Sequence, residues 1–377
     1  MAKIADVTLF CNLKGSDSQY LKDYRNHQSN VKIIAKDVNV ERSFINLIKS
    51  YWHGLTLNEY RNSSAELKRE VARIISTVDL VVVDHYEMFH LLPTLHHPPF
   101  VLHTHNAEHV MWDRFSKLEK NLLKRLLIKA ESRRIRIAEK RACIRSKLVW
   151  AAPNDLKHLE KLSPRQQLSS TYHLGNETYL NHPEIDFCKT KQSIYFFGSL
   201  NWQANLHGLL WFIDNIWPNI LEKRPQTLFY IVGKKPPIKL RKKARGSKRI
   251  VFTGFVDDLE SIFSQHRVFI NPVQFGSGMK VKTLDAMYRG AAIVSSPVGV
   301  ESIHFKHSHE GLVATTVEEW VNAVCELLER PDYCSALGQK ARSTSKTHYQ
   351  WLPLLTRHER ELQSLISNHS NETCNVI

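Results

Sequence analysis

VFINPVQFGSGMKVKTLDAMYRGAAIVSSPVGVES, residues 268–302, contains a strand, a glycine-bearing loop, a helix, a second strand and a second glycine loop. VFINPV (268–273) and AAIVSSP (291–297) are short apolar runs of the kind buried on both faces of a parallel sheet. KVKTLDAMYRG (280–290) between them has apolar residues at helical spacing and ends on glycine. Strand, helix and parallel strand make a βαβ unit. Gly276 and Gly278 let the backbone approach a ligand, and the amides of the helix that follows face outward, which suits an anion such as a diphosphate. Lys280 and Lys282 stand in its first turn, where they oppose the helix dipole unless an anion is bound. A local rule broken in this way marks a candidate site. Asp285, one to two turns on, is placed to accept from ribose hydroxyls. The competing reading is an ordinary loop with solvated lysines, and GSG alone does not separate the two.

The same alternation extends in both directions. SIYFFGS (193–199), TLFYIVG (227–233) and RIVFTGF (249–255) read as further strands of the second half. HGLLWFIDNIWPNILEK (207–223) and VEEWVNAVCELLER (317–330) read as helices. In the first half VTLFC (7–11), VKIIA (31–35), LVVVDH (80–85), FVLHTH (100–105) and KLVWAA (147–152) read as strands and ELKREVARIIS (66–76) as helix. A polar, turn-rich stretch at 163–192 reads as the connection between two doubly wound halves. In such sheets ligands bind at the carboxyl ends of the strands.

The chain has 377 residues, enough for two domains. Composition is that of a soluble globular protein, with no leader-like start and no apolar run long enough to span a bilayer. Six scattered cysteines without a CxxC pair suggest buried thiols in a reducing compartment, not a disulfide framework or zinc site. The formal net charge of +15 implies an anionic partner without choosing among nucleic acid, lipid surface and phosphorylated substrate.

The stretch around 276–302 resembles the donor-site signature of glycosyltransferase family 4 (glycosyl transferases group 1), in which two glutamates separated by seven residues precede an AMA-G-PVV strand. Asp285 stands at the second glutamate and Ser277 at the first, so one carboxylate is kept and the one expected near the transferred sugar is absent. YFFGSLNWQANLHGLLWFIDNIWP (195–218) is similar to the family's first C-terminal strand, donor loop and helix. FYIVGKKPP (229–237) and VFTGFVDDLESIF (251–263) are similar to its next two strand–loop segments. The resemblance covers about 190–345. It implies a GT-B fold: two Rossmann-like α/β domains facing across a cleft, with a C-terminal helix crossing back to the N-terminal domain. The domains would be 1–175, 176–345 and a crossover helix and tail at 346–377.

The implied donor site comprises Gly198, Ser199, Asn205, Gly233, Lys234, Gly254, Phe255, Gly276, Ser277, Gly278, Met279, Lys280, Lys282 and Asp285. Many relatives hold the diphosphate with an arginine where this chain has Ser199, so Lys280, together with Lys234, is expected to compensate. The family retains anomeric configuration and uses no bound metal or cofactor.

On the first half LHTHNAEHVMWDRF (102–115) ends a strand in a histidine cluster. His103 reads as an inward-facing structural residue, and the cluster lacks a tetrahedral ligand spacing. The resemblance to an HN-x-E segment implies His105 and Asn106 as catalytic residues beside Lys280, with His105 and Glu108 on the acceptor side. Glu108 has the equal alternative of complementing a helix N-terminus. FSKLEKNLLKRLLIKAESRRIRIAEKRACIRSK (115–147) is helical and strongly basic. Packing on a core would account for Leu118, Leu122, Leu126, Leu127 and Ile135 but not for the sign of the charge, which suggests an anionic membrane surface. ARSTSKTHYQWLPLLTRHERELQSLIS (341–367) reads as helix anchored by Trp351, and the polar end after it as frayed.

The expectation is thus a cytoplasmic enzyme, peripheral at the inner face of a membrane. It moves a sugar from a nucleoside diphosphate sugar to a glycan or lipid-diphosphate-linked acceptor in cell-surface polysaccharide biosynthesis. A Rossmann dehydrogenase would need GxGxxG after the first strand, which NLKGSDSQ (12–19) does not supply. A nucleic-acid-binding protein would account for the charge but has no recognisable module. A GT-B protein that binds its ligand without turnover is the reading Ser277 motivates.

Overall fold

A computed structural model of the chain describes residues 5–14, 21, 31–94, 97–247 and 249–374, with side chains to 368. The chain forms two compact units: Met1–Thr171 together with Leu355–Ile377, and Tyr172–Leu354.

In the first unit β1 (Val7–Leu13) and β2 (Val31–Asp37) pair in parallel. β3 (Val81–Asp84), β4 (Phe100–His103), β5 (Leu148–Ala151) and β6 (Leu168–Ser170) form a four-stranded parallel sheet in that order. The helices are α1 (Phe44–Trp52), α2 (Leu57–Arg61), α3 (Ala65–Ile74), α4 (Glu108–Leu118), α5 (Leu122–Arg145) and α6 (Pro153–Glu160). Val83, Phe100, Leu102 and Val149 bury one face of the sheet against Ile135, Ala142 and Cys143 of α5.

The second unit carries one six-stranded parallel sheet in the order β12-β11-β10-β7-β8-β9. Its strands are β7 (Lys191–Phe197), β8 (Phe229–Val232), β9 (Ile250–Gly254), β10 (His266–Asn271), β11 (Ala292–Ser295) and β12 (Leu312–Val313). Helices α7 (Gln203–Asn215), α8 (Trp217–Lys223), α9 (Ile238–Arg245), α10 (Glu260–Gln265), α11 (Val281–Arg289), α12 (Val317–Glu329) and α13 (Pro331–His348) connect or flank them. This is a doubly wound sheet whose order reverses between β7 and β10. A crevice for a ligand opens at such a reversal, outside the carboxyl ends of the strands.

Every strand expected from the sequence is present. β6 and β12 were missed because a three-residue edge strand in a polar segment and a two-residue strand give no period to read. The helix expected over 207–223 is two helices, since Pro218 cannot extend the ladder of α7 and opens α8 instead. The basic stretch 115–147 is likewise divided, with Asn121 capping α5 by accepting from the Lys124 amide at 3.1 Å. The helix expected over 341–367 is α13 followed by α14 (Trp351–Cys374), which takes in most of the polar end read as frayed. Cys143, Cys325 and Cys334 are buried thiols as expected, but Cys188 is exposed. Residues 15–19 of the NLKGSDSQ segment lie outside the described residues. No helix among the described residues is long and apolar enough to cross a membrane.

α14 completes the first unit from Leu355 on. Its His358 ring stacks on Trp150 at 4.0 Å. Glu361 accepts from Trp150 Nε1 at 2.7 Å and from Ser169 Oγ at 2.5 Å. Leu362 packs with Val101, Leu148 and Trp150.

Candidate functional site

The carboxyl ends of β7 and β10 carry the two glycine loops. Gly198 follows β7 at φ 147°, and Gly276 and Gly278 follow β10 at φ 145° and 70°, values that disfavour any other residue. A side chain at Gly198 would come 3.2 Å from Asn205 Nδ2 and 3.8 Å from Lys282 Nζ. Gly233, at the end of β8, lies so close to β7 that a β-carbon would stand 2.4 Å from the Gly198 carbonyl oxygen. The strand ends therefore meet backbone to backbone.

Asn205, buried in the first turn of α7, donates from Nδ2 to the Ser199 carbonyl at 2.8 Å. That bond turns its Oδ1 toward Lys282, whose ammonium donates to it. The Lys282 Nζ lies 4.3 Å above the Phe196 ring. Burial, and after it the charge of Lys280, hold the Lys282 ammonium well below its ordinary range. A cation kept in such a place is favoured by an anion beside it.

Lys280 behaves differently. It is the N-cap residue of α11, only 4% exposed, and its Nζ donates to the Gly278 carbonyl at 2.8 Å and the Ser277 carbonyl at 3.1 Å. The solvated-lysine reading fails for both lysines. Lys280 braces the loop it belongs to, against Gly276. Ser277 and Met279 are buried in the same loop. A clip that sequence reasoning missed ties this loop to the second glycine loop. Asn271 Nδ2 donates to Thr283 Oγ1 at 2.9 Å, and Thr283 Oγ1 donates to the Gly299 carbonyl at 2.8 Å. Only the position of Asn271 at the end of a strand could have signalled it.

On the other side of β7, Lys234 places its Nζ 3.8 Å from the centre of the exposed Phe255 ring. Gly254, at φ 78°, accepts from the Gly233 amide at 2.9 Å. Asp285 is turned toward the start of this unit: its Oδ1 accepts from the Asn176 amide at 2.8 Å, and Gly175 leaves no room for a side chain there. Burial pushes the Asp285 carboxyl up to about 6.

The first unit gathers a second cluster at the carboxyl ends of β3 and β4. Asp84 and His103 are register partners across the two strands. Asp84 Oδ1 lies 2.8 Å from both His103 Nδ1 and His105 Nε2. The Asp84 hydrogen bond outweighs desolvation and raises the His105 imidazole. His103 is a satisfied histidine, partly buried, that shares the Asp84 carboxylate with His105. His85 holds φ 74°, unusual for a side chain of its size, and meets the His105 ring edge-on at 5.6 Å. Asn106 sits in the loop between His105 and α4.

Glu108 opens α4 and is buried. Its carboxyl is pushed up to about 8 by burial first and then by Glu87 and Glu139. It accepts from Asn58 Nδ2 and Trp112 Nε1, each at 3.2 Å. The cap that Ala107 cannot supply comes from α5: Glu139 accepts from the amides of Glu108 at 2.7 Å and His109 at 3.0 Å. Asp84, Glu139 and Asn58 were all missed as site residues. Their partners lie 19 to 50 positions away along the chain.

Residues 191–330 match the family described as Glycosyl transferases group 1. An uncharacterised 44.6 kDa protein in the cps region of Klebsiella pneumoniae is 28% identical over 129 residues, 32% of this chain. The match spans about a third, 33%, of that relative's length. Among solved structures, Anabaena HepE in complex with UDP superposes with a TM-score of 0.63 over 95% of this chain and 100% of its own, at 13% identity. Sucrose-phosphate synthase from Thermosynechococcus elongatus gives 0.64 over 96% and 100%, also at 13%. Trehalose 6-phosphate synthase from Burkholderia multivorans gives 0.63 over 98% and 100%, at 10%. The fold is that of the GT-B glycosyltransferases.

Proposed function

On a GT-B chain whose residues 191–330 match the group 1 glycosyl transferases, we propose transfer of a sugar from a nucleoside diphosphate sugar to a glycan or lipid-linked acceptor. Anomeric configuration is retained and no metal takes part. The observation that carries the proposal is the meeting of Lys282, Asn205 and Gly198 at the reversal point between β7 and β10. Lys282 supplies from the first turn of α11 the charge that Ser199 leaves out of the loop after β7. Lys280 shapes the loop amides behind it. Lys234 and Phe255 form the nucleobase end, and Asp285 serves the ribose.

Chemistry in such a site is positioning and charge stabilisation. The departing diphosphate is held by Lys282 and the α11 amides while an acceptor hydroxyl attacks from the same face of the sugar and passes its proton to the phosphate oxygen that leaves. His105, oriented by Asp84 and carrying a raised pKa, offers a hydrogen bond that positions a hydroxyl of the sugar or the acceptor. The name of the Klebsiella relative supports a capsular or other surface polysaccharide as product, and a lipid-linked acceptor would place the enzyme at the inner face of a membrane. The alternative, binding without turnover, is favoured by Ser277 alone.

A thermal-shift screen of UDP-, GDP- and dTDP-sugars tests the proposal, since a bound ligand raises the melting temperature by mass action. Positive hits are then incubated to follow nucleotide release. Stabilisation by no nucleotide sugar ends the proposal, and stabilisation without release on a panel of acceptors selects the alternative.

A further inference from the structure

α1 is built backwards for a helix of a globular unit. Its sequence FINLIKSYW is mostly apolar, yet only Ser50 is buried. Phe44 is 64% exposed, Ile45 65% and Trp52 89%, with Ile48 and Tyr51 outward as well. A surface helix ordinarily turns its apolar stripe to the core. A second apolar surface lies at the corner between α4 and α5. Leu118, Leu122, Leu123, Leu126 and Leu127 are all exposed, and of the leucine and isoleucine side read from the sequence only Ile135 reaches the core. The core-packing explanation of that side is thereby overturned.

The two surfaces are joined. Arg134 of α5 donates to Ser50 Oγ at 3.2 Å and lies 3.6 Å over the Tyr51 ring. Leu127 and Leu123 precede Arg134 by about two and three helical turns, so they run along the side of α5 that meets α1. Every residue from Lys120 to Leu127 is exposed, so the first six residues of α5, about 9 Å of helix, put no side chain into the core. Around this apolar area lie the exposed cations Lys49, Lys120, Lys124, Arg125, Lys129 and Arg133. Exposed apolar area on this scale marks an interaction surface. A second copy of the chain would bring like charges together. An anionic lipid surface answers both the charge and the apolar area.

We propose that α1 and the α4–α5 corner together insert into the headgroup boundary of an anionic membrane, apolar side down. The inference sharpens the membrane placement proposed above and is independent of sugar transfer. It assigns attachment to helix α1, outside the basic stretch, and makes insertion as important as charge.

The test is co-sedimentation of the full chain with vesicles of phosphatidylcholine alone and with phosphatidylglycerol added, at ~0.15 M and ~1 M salt. Two triple variants are compared, Phe44→Ser/Ile45→Ser/Trp52→Ser and Leu122→Ser/Leu123→Ser/Leu126→Ser. Because these side chains are exposed, both variants should keep the native melting temperature and nucleotide-sugar binding. The expected result is binding to the anionic vesicles that weakens but persists at high salt. Either triple should lower the partition by about tenfold or more. Absence of native binding overturns the proposal, as does a partition unchanged by both triples. Native dimers in sedimentation equilibrium that either triple dissociates would overturn it too, by making the surface a protein interface.

Discussion

The Nζ of Lys282 and the Oδ1 of Asn205 meet at the carboxyl end of β7, although 77 positions separate them in the chain. One residue comes from the helix after β10 and the other from the helix after β7. The contact therefore spans the reversal point of the sheet and fixes a charge on the floor of the crevice.

Lys282→Ala should weaken UDP or GDP binding by about 1.5–3 kcal/mol, the range for hydrogen bonds to charged groups. Lys280→Ala should instead lower thermal stability, because its ammonium is held by the carbonyls of Ser277 and Gly278. Calorimetry on both variants decides between them. A larger affinity loss for Lys280→Ala would return the diphosphate to that residue.

Asp285 titrates at about 6, so it is the charged acceptor above that pH and a neutral group below it. Affinity for a nucleotide sugar should fall as pH drops from 7 to about 5, and Asp285→Asn should remove this dependence while weakening every nucleotide sugar alike. The ligand must be a nucleotide sugar, since a free nucleotide has a terminal phosphate that titrates at about 6 itself. A defect confined to one sugar would place Asp285 at the sugar.

Asp84→Asn should lower the His105 imidazole toward its ordinary value of about 6.5, visible as a shifted titration of one ring proton in NMR. Transfer should slow by about 100-fold while nucleotide binding is kept, as for a misplaced positioning contact. Asp84→Glu should restore part of both. A His105 titration indifferent to Asp84 would disconnect the pair.

Glu108 is protonated in the folded chain up to about pH 8 and ionises near 4.3 when unfolded. The folded state then binds the extra proton between these values, so the contribution of Glu108 to stability is fully present below about 4.3 and is lost as pH rises toward 8. Glu59 and Glu87, also raised chiefly by burial, act in the same direction. Glu108→Gln should flatten the denaturant midpoint between pH 5 and 8, a difference of a few kcal/mol at most. An unaltered slope would show that the carboxyl is charged in the native protein.

The glycine loops and the sheets were legible because buried parallel strands are continuous apolar runs and because the positive φ at 198, 276 and 278 favours glycine. Which lysine faces the crevice was not legible. Lys280 and Lys282 are two positions apart on a helix start and point to different sides, and their sorting depends on Asn205 and the loop carbonyls. Asp84 reads as the end of a strand because one histidine partner ends the neighbouring strand and the other lies in the loop after it. The leucines of α5 read as core-facing because spacing gives a helix a side without saying what the side meets.

The stacking of His358 on Trp150 and the Glu361 carboxylate between Trp150 and Ser169 have a bearing on how the protein is made. The unit made before Tyr172–Leu354 is completed by residues made after it. At about 5–20 residues per second, about ten to forty seconds separate Thr171 from Leu355 during synthesis. For that interval Trp150 waits without the helix that covers it, while the sequence of the second unit is completed before that helix is made. A nascent chain stalled short of Leu355 should thus hold a folded second unit beside a first unit still open to protease near Trp150.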